Sequence, residues 1–204
     1  MKHAVAGGFL LLASATQIVD LGGAKLLPVN REVSRAAERG GIHLSAREGP
    51  GVAWIEGSDF REGTIEIDVR GKDVLQQSFL GVAFHRKDDQ TYESVYLRPF
   101  NFQATDPTRH NHAIQYMQVP EFDWPALREK FPEEFERPVG PSIKPAEWAH
   151  LRVVVKGNRV QAFVGSVTTP TLDVRKLGQL ASGMVGLWVG NNSDGDFANL
   201  RLTK

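Results

Sequence analysis

Residues 91–102 carry more aromatic and ionisable side chains than a purely structural strand requires. A period of two places Val95 and Leu97 on one side of a predicted strand, with Glu93 in the same register. The other side presents hydroxyl and guanidinium groups, from Tyr92, Ser94, Tyr96 and Arg98. A second predicted strand, at 109–118, adds imidazole, amide and phenol groups. We therefore predict that two neighbouring strands line a ligand-binding face.

Side chains of opposite parity to the buried sets of the predicted strands define this candidate face. Its predicted substrate-binding members are Asp68, Tyr92, Tyr96, Arg98, Asn101, Gln115, Tyr116, Arg152 and Trp188. Sugars pack their C–H faces on aromatic rings and bond their hydroxyls to charged or amide groups, so the set favours an oligosaccharide or polysaccharide. A solvated sheet face gives the same pattern, with Asp68 paired to Arg98 or Arg152. If the site is correct, alanine at Arg98 or Trp188 weakens glycan binding and leaves thermal stability largely intact.

Four residues are candidates for general acid or base catalysis, namely Glu66, His85, Glu93 and His112. His85 follows a predicted strand in the outward parity, and imidazole titrates near neutral pH. The spacing assigns no catalytic roles, because a histidine on a sheet face is more often a hydrogen-bonding residue. Catalysis at these positions is therefore an alternative to binding alone.

The loop at 191–196 concentrates hard oxygen ligands, which suit Ca²⁺. The predicted metal ligands are Asn191, Asp194 and Asp196. Asn, Asp and Gly are also the usual residues of turns, so an ordinary loop is the alternative. The sequence indicates no organic cofactor.

The composition restricts the partners and the compartment. Lys plus Arg and Asp plus Glu both total 24, and this balance argues against a nucleic-acid partner. No cysteine is present, which excludes disulfides and thiol catalysis. An apolar run from Ala4 to Ala13, followed by a small-residue motif ending at Ala15, is typical of a signal peptide over residues 1–15. The run is roughly half of the ~20 residues that span a bilayer, so we expect a secreted or periplasmic protein without a membrane span. A buried N-terminal strand or helix is the alternative.

About a dozen short strands separated by turns predict one domain over residues 16–204. Residues 63–71 alternate most clearly, with aliphatic side chains on one face and charged ones on the other. Asp123 can cap a short helix over 124–131, with Pro125 in its first turn. Such an insertion at the mouth of a sheet often forms one wall of a binding site. The fold class is therefore all-β, a two-sheet antiparallel sandwich of jelly-roll type with one short helical insertion.

Several stretches resemble the concanavalin A-like lectin/glucanase superfamily, in its laminin G-like bacterial branch. They are 60–69, the strand around Trp148, 186–190 and 197–200. The chain is also similar to the bacterial family known as 3-keto-disaccharide hydrolases. The resemblance implies a concanavalin A-like fold that binds a glycan on a concave sheet face. It leaves two alternatives: a glycoside hydrolase or lyase of the 3-keto-disaccharide hydrolase type, and a non-catalytic protein-interaction module.

Glu66 and Asp68 resemble part of the Glu-x-Asp-x-Glu signature of laminarinase-type enzymes in this superfamily. Arg70 stands at the third position, which removes the expected proton donor. Two carboxylates two residues apart on a strand are roughly 6.5–7 Å apart. That lies near the boundary between the ~5–5.5 Å separation of retaining and the ~6.5–9.5 Å separation of inverting glycosidases. The geometry of a strand therefore keeps hydrolysis open as an alternative.

Overall fold

The structure is a computed structural model that describes residues 15–204. Apart from Ala15, the predicted signal peptide lies outside these residues. In the part of the chain that is described, no helix has the length and apolar character needed to cross a membrane.

Short strands dominate residues 15–204, with two short helices between them. The strands are β1 (Thr16–Ile18), β2 (Leu26–Val29), β3 (Val33–Arg35), β4 (Ile42–Leu44), β5 (Gly51–Ile55), β6 (Gly63–Arg70), β7 (Leu80–Phe84), β8 (Tyr92–Leu97), β9 (Ile114–Val119), β10 (Glu136–Arg137), β11 (Ala149–Lys156), β12 (Arg159–Val164), β13 (Leu172–Arg175), β14 (Gly186–Val189) and β15 (Gly195–Thr203). The helices are α1 (Pro107–Asn111) and α2 (Trp124–Lys130), and a 3-10 turn spans Pro99–Asn101.

The strands form two antiparallel sheets, as predicted. Sheet A has the order β13-β12-β11-β6-β15-β4-β3, and β1 also pairs with β15. Sheet B has the order β10-β9-β8-β7-β14-β5-β2. The weakly patterned strands β2 and β3 lie at sheet edges, where their short lengths are tolerated. The sandwich therefore confirms the fold class drawn from strand alternation.

The core lies between the inner faces of the two sheets. In β6 the inward residues Ile65 and Ile67 are fully buried, while Glu66 is only half-buried on the outer face. In β8 the inward residues Val95 and Leu97 are buried in the same way. Period-two patterning thus identifies the inner faces of β6 and β8 correctly.

Helix α2 forms where the sequence predicts it. Asp123 Oδ1 accepts a hydrogen bond from Ala126 N at 3.2 Å, and Pro125 occupies the first turn. Leu127 is buried, which fixes the helix against the sandwich. The predicted helical insertion is therefore confirmed.

Helix α1 corrects the predicted strand at 109–118. Asp106 caps this helix by accepting a hydrogen bond from Arg109 N at 2.8 Å, and Pro107 follows at the first helical position. An Asp-Pro pair of this kind favours a helix start, because Pro needs no donor there. Strand β9 begins only at Ile114, so His112 caps the end of α1 instead of lying on a strand.

Candidate functional site

The single outer face predicted from parity is divided between the two sheets. Glu66, Asp68 and Arg152 lie on the outer face of sheet A. The outer face of sheet B carries Tyr92, Tyr96, Gln115 and Trp188, with Arg98 just beyond the end of β8. These faces point away from each other, so the predicted set cannot contact one ligand. Parity separates inside from outside but does not tell which sheet a strand joins.

Sheet B carries one row of outward side chains in register across its strands. The row runs from Trp188 on β14 through Gly81 and Tyr96 to Gln115 on β9 and Glu136 on β10. Any side chain at Gly81 would collide with the Tyr96 backbone, because its Cβ would lie 2.6 Å from Tyr96 Cα. The Tyr96 and Trp188 rings meet with centroids 4.7 Å apart. Aromatic and polar groups are thus joined in one line.

Further aromatic rings extend this row. Trp188 Nε1 donates to Tyr92 OH at 3.0 Å, and the Tyr92 ring meets Trp54 edge-on with centroids 5.4 Å apart. Trp54 lies next to Gly186, which has no side chain to displace the indole. The four rings are at most 4% exposed, and burial raises the pKa of both Tyr92 and Tyr96. These four rings are therefore buried and offer no exposed aromatic surface to a ligand.

Polar side chains at the β9–β10 end of the row form what we call the Arg98 cluster. Its members are Tyr96, Arg98, His112, Gln115, Arg128 and Glu136. Arg98 Nη2 donates to Tyr96 OH at 2.8 Å and to Gln115 Oε1, and Arg98 Nη1 donates to Glu136 Oε1 at 2.7 Å. Asn101 Nδ2 donates to His112 O at 3.1 Å, which ties the 3-10 turn to the cluster. The predicted residues Tyr96, Arg98 and Gln115 do converge.

Glu136 is the anion at the centre of the cluster. Arg128 on α2 donates to it from Nε at 3.0 Å and from Nη2 at 2.8 Å, and His112 Nε2 lies 3.3 Å from Oε2. Burial alone would raise the Glu136 pKa, but hydrogen bonds from Arg128 and the charge of Arg98 outweigh it and lower the pKa. Burial also lowers the pKa of His112, against the opposing charge of Glu136. Glu136 is therefore ionised and His112 is biased toward its neutral form.

The cluster reaches solvent beside α2, at a surface patch that we call the mouth, formed by Trp124, Arg128 and His112. Trp124 is 50% exposed, and the side chains of Arg128 and His112 are 36% and 20% exposed. The Arg128 guanidinium lies over the Trp124 ring, 5.1 Å from its centroid. Helix α2 supplies Trp124 and Arg128, and its role as one wall of a binding site stays a prediction.

Trp124, Arg128 and Glu136 of this candidate site are not among the residues predicted from the sequence. Trp124 and Arg128 are four residues apart on α2, a spacing that places them on one face of a helix and offers a usable signal. Glu136 lies in a strand of two residues within a run of glutamates, and no pattern distinguishes it. Trp54 was not predicted either. It lies opposite Gly186 and therefore on the same face of sheet B as Trp188.

His85, Glu93 and Tyr116 are not on an outer face. They form a buried network on the inner side of sheet B, where His85 and Glu93 are fully buried. His85 adopts φ +54° just after β7, and this left-handed turn reverses the parity expected from the strand. The outward predictions for His85 and Tyr116 are thus corrected, whereas the inward parity of Glu93 is confirmed.

Glu93 collects donors from three side chains in this network. Its Oε1 lies 2.8 Å from His85 Nδ1 and 3.4 Å from Lys176 Nζ, and its Oε2 accepts from Tyr116 OH at 2.7 Å. His85 Nε2 lies 2.8 Å from the Arg61 carbonyl, which can only accept. Burial and the charge of Glu93 raise the pKa of Tyr116, which remains a neutral donor.

Asp68 is the centre of the charged outer face of sheet A. It accepts from Arg39 at 2.6 Å, from His150 at 2.8 Å and from Asn199 at 2.7 Å. Glu66 lies 3.6 Å from the other nitrogen of His150. Arg39 thus takes the place predicted for Arg98 or Arg152, and Arg152 stacks on Phe163 with 3.8 Å to the ring centroid.

Asp68→Asn is expected to lower the free energy of unfolding by about 1–3 kcal/mol at pH 5, because charge-assisted hydrogen bonds are lost. Burial opposes ionisation, but Asn199, His150 and Arg39 together lower the Asp68 pKa below its ordinary value of 3.8. A lowered pKa stabilises the fold above the ordinary value, and this contribution disappears as the pH falls through the lowered one. The difference between wild type and variant should therefore shrink on acidification in urea titrations. The control Asp173→Asn removes an exposed pair with Arg159 and should cost about 1 kcal/mol or less.

The loop predicted to bind Ca²⁺ is held by other groups. Asn191 Oδ1 accepts from Gly49 N at 2.8 Å, and Asp194 pairs with Lys72. Asp196 pairs with Arg70 at 2.7 Å and lies 2.8 Å from His43. Across residues 15–204, no three His, Cys, Asp or Glu side chains are grouped so that they could hold a metal ion. The three predicted ligands therefore do not converge on one point.

No protein-family model and no curated protein matches this chain, whereas solved structures do. The carbohydrate-binding module CBM66 from Bacillus subtilis is 14% identical, with a TM-score of 0.61 over 87% of this chain and 94% of that one. A native glycosidic hydrolase is 7% identical, with a TM-score of 0.60 over 95% of this chain and 97% of that one. The exoplasmic/lumenal domain of VIP36, in its Ca²⁺-bound form, is 12% identical, with a TM-score of 0.57 over 92% and 88%.

These likenesses confirm the predicted concanavalin A-like sandwich. The fold is thus shared with a carbohydrate-binding module, a glycosidic hydrolase and a lumenal domain. None of the comparisons points to the 3-keto-disaccharide hydrolase family specifically.

Proposed function

We propose that this protein is an exported carbohydrate-binding module that holds a glycan at the mouth on sheet B. The observation that carries the proposal is the half-exposed Trp124 beside the Arg98 cluster. An indole ring offers the flat apolar surface on which a sugar packs its C–H face. Arg128 and His112 offer hydrogen-bonding groups at the same surface patch.

The buried part of the site supports this function by holding the exposed part in place. Glu136 fixes the Arg128 guanidinium with two hydrogen bonds, and Arg98 fixes Glu136 from below. A binding group whose orientation is set before the ligand arrives loses less entropy on binding. The CBM66 and VIP36 likenesses support a sugar ligand, and the apolar run before Ala15 supports export.

Trp124→Ala is expected to weaken glycan binding by about tenfold or more, the scale of losing an aromatic contact at a binding hot spot. The thermal midpoint should change little, because half of the Trp124 surface is already in water. Titration calorimetry measures the affinity. Ile18→Ala is the matched control, since Ile18 is 73% exposed on β1 of sheet A, the sheet opposite the Arg98 cluster. Equal affinity in wild type and Trp124→Ala would remove Trp124 from the site.

A glycan-array screen of the protein from Thr16 onward tests the proposal directly. Each hit is measured with calcium and with a chelator, and is then incubated for hours and checked for product. Binding without product is the expected result. Absence of any glycan hit would contradict the proposal. Formation of a product would instead favour the hydrolase alternative.

Hydrolysis requires an acid and a base that reach the substrate. His85 and Glu93 do converge, at 2.8 Å, but both are fully buried. Glu66 and Asp68 flank His150 on sheet A, on the opposite side of the sandwich from Trp124. Of the four predicted catalytic residues only His112 lies at the mouth, and the neighbouring Glu136 is buried and held by Arg98 and Arg128. Binding without turnover is therefore the function that this geometry supports best.

A further inference from the structure

We propose that the group recognised at the mouth is an anionic oxygen group on the sugar, a carboxylate or a sulfate ester. This inference rests on the proposed function and specifies the class of glycan. The free hydrogen-bond donors of the Arg98 cluster, its occupied acceptors and the charges of its members support this proposal.

Almost all side-chain acceptors of the cluster are already used. Glu136 Oε1 accepts from Arg98 and Arg128, while Oε2 accepts from Arg128 and lies 3.3 Å from His112. Gln115 Oε1 accepts from Tyr96 OH at 2.5 Å and also from Arg98. Tyr96 OH itself accepts from Arg98 while it donates to Gln115. If His112 Nε2 donates to Glu136, the Nδ1 atom of a neutral His112 is the one side-chain acceptor of the cluster left for a ligand that brings mainly donors.

Donors remain, in contrast. Gln115 is fully buried, and its Nε2 has no hydrogen-bond partner among residues 15–204. Arg128 uses Nε and Nη2 for Glu136, which leaves Nη1 for another acceptor at the exposed end of its side chain. Gln115 Nε2 is buried beneath the surface, so Arg128 Nη1 is the donor that an arriving oxygen atom can meet. An acceptor group on the ligand is therefore favoured.

The charges favour an anion among the possible acceptors. Two guanidiniums, Arg98 and Arg128, share the single carboxylate of Glu136. Glu133 also acts on His112, but it is exposed and screened by water. One positive charge within the cluster is thus uncompensated. Carboxylate and sulfate oxygens only accept and carry the complementary charge, and a guanidinium can bind them through paired hydrogen bonds.

The test compares acidic oligosaccharides with neutral counterparts of the same sequence. The uronic acid probes are oligomers of galacturonate, glucuronate and mannuronate, each with its carboxyl-reduced form. Sulfated oligosaccharides with their desulfated forms make the second arm, which distinguishes sulfate from carboxylate. We expect at least one acidic probe to bind about tenfold or more tightly than its neutral form, the ratio that one charge-assisted hydrogen bond supplies. Added salt should reduce that ratio.

Variants at the mouth assign the preference to the Arg98 cluster. Arg128→Gln should bring the affinity for the acidic probe down to that of its neutral form, whereas Arg128→Lys keeps the charge and should keep the preference. Arg159→Gln is the control, because Arg159 is an exposed arginine paired with Asp173 on sheet A. Thermal unfolding of each variant confirms that it is folded.

The outcomes separate the two proposals. Equal binding of acidic and neutral forms would overturn the inference and leave the proposed function intact. An acidic preference that survives Arg128→Gln would place the anion elsewhere and would also overturn it. Failure of every sugar to bind, on the array and among these probes, would refute the proposed function itself.

Discussion

Glu93→Gln is expected to lower the free energy of unfolding by about 3–5 kcal/mol, the usual cost of removing one partner from a buried ion pair. The carboxylate accepts from His85 and Tyr116 and lies 3.4 Å from Lys176 in a fully buried setting. A glutamine keeps one acceptor oxygen but turns an amide donor toward groups that also donate. The Lys176 ammonium, whose side chain is only 13% exposed, would then lack its counter-ion.

Urea unfolding followed by tryptophan fluorescence measures this effect. The matched control is Glu56→Gln, which breaks a surface pair with Lys25 at 2.9 Å. Exposed pairs of this kind contribute about 1 kcal/mol or less. A Glu93→Gln variant as stable as the control would show that the buried network carries no ion pair.

Much of the fold follows from period-two patterning. The alternation of Ile65, Ile67 and Val69 with charged residues gives a half-buried strand whichever sheet it joins. The cap at Asp123 likewise fixes the start of α2, because capping is a local interaction. Features decided within a few residues were therefore predictable.

The site was predictable only in part, because sheet membership depends on long-range pairing. Glu66 and Tyr96 have the same outward parity, yet they lie on opposite faces of the sandwich. The alternation pattern does not predict the position of His85, because the positive φ of His85 turns its side chain inward. Arg128 meets Glu136 only once α2 folds onto the edge of sheet B.

The side chains on the outer face of sheet B are buried, which the alternation pattern does not predict. Outward parity suggested that Arg98 and Trp188 could be replaced without loss of stability. They are 3% and 4% exposed, so both support the structure as well as the site. The exposed aromatic residue that alternation could not find, Trp124, lies on a helix.

Arg98→Met is accordingly expected to lower the free energy of unfolding by about 3–5 kcal/mol. The guanidinium donates to Tyr96 OH, Gln115 Oε1, Glu136 Oε1 and the His112 carbonyl, and a thioether replaces none of these bonds. Urea unfolding measures the loss. Arg159→Met is the matched control, since it breaks an exposed pair with Asp173 and should cost about 1 kcal/mol or less.

A double-mutant cycle identifies the source of that loss. If Arg98 acts chiefly through Glu136, then Arg98→Met combined with Glu136→Gln should cost less than the sum of the two single changes, with a coupling of about 0.5–3 kcal/mol. Additive effects would instead assign the loss to the bonds with Tyr96 and Gln115. Because Glu136 also accepts from Arg128, strong coupling would mean that the guanidinium lying over Trp124 is held by a carboxylate whose stability depends on Arg98.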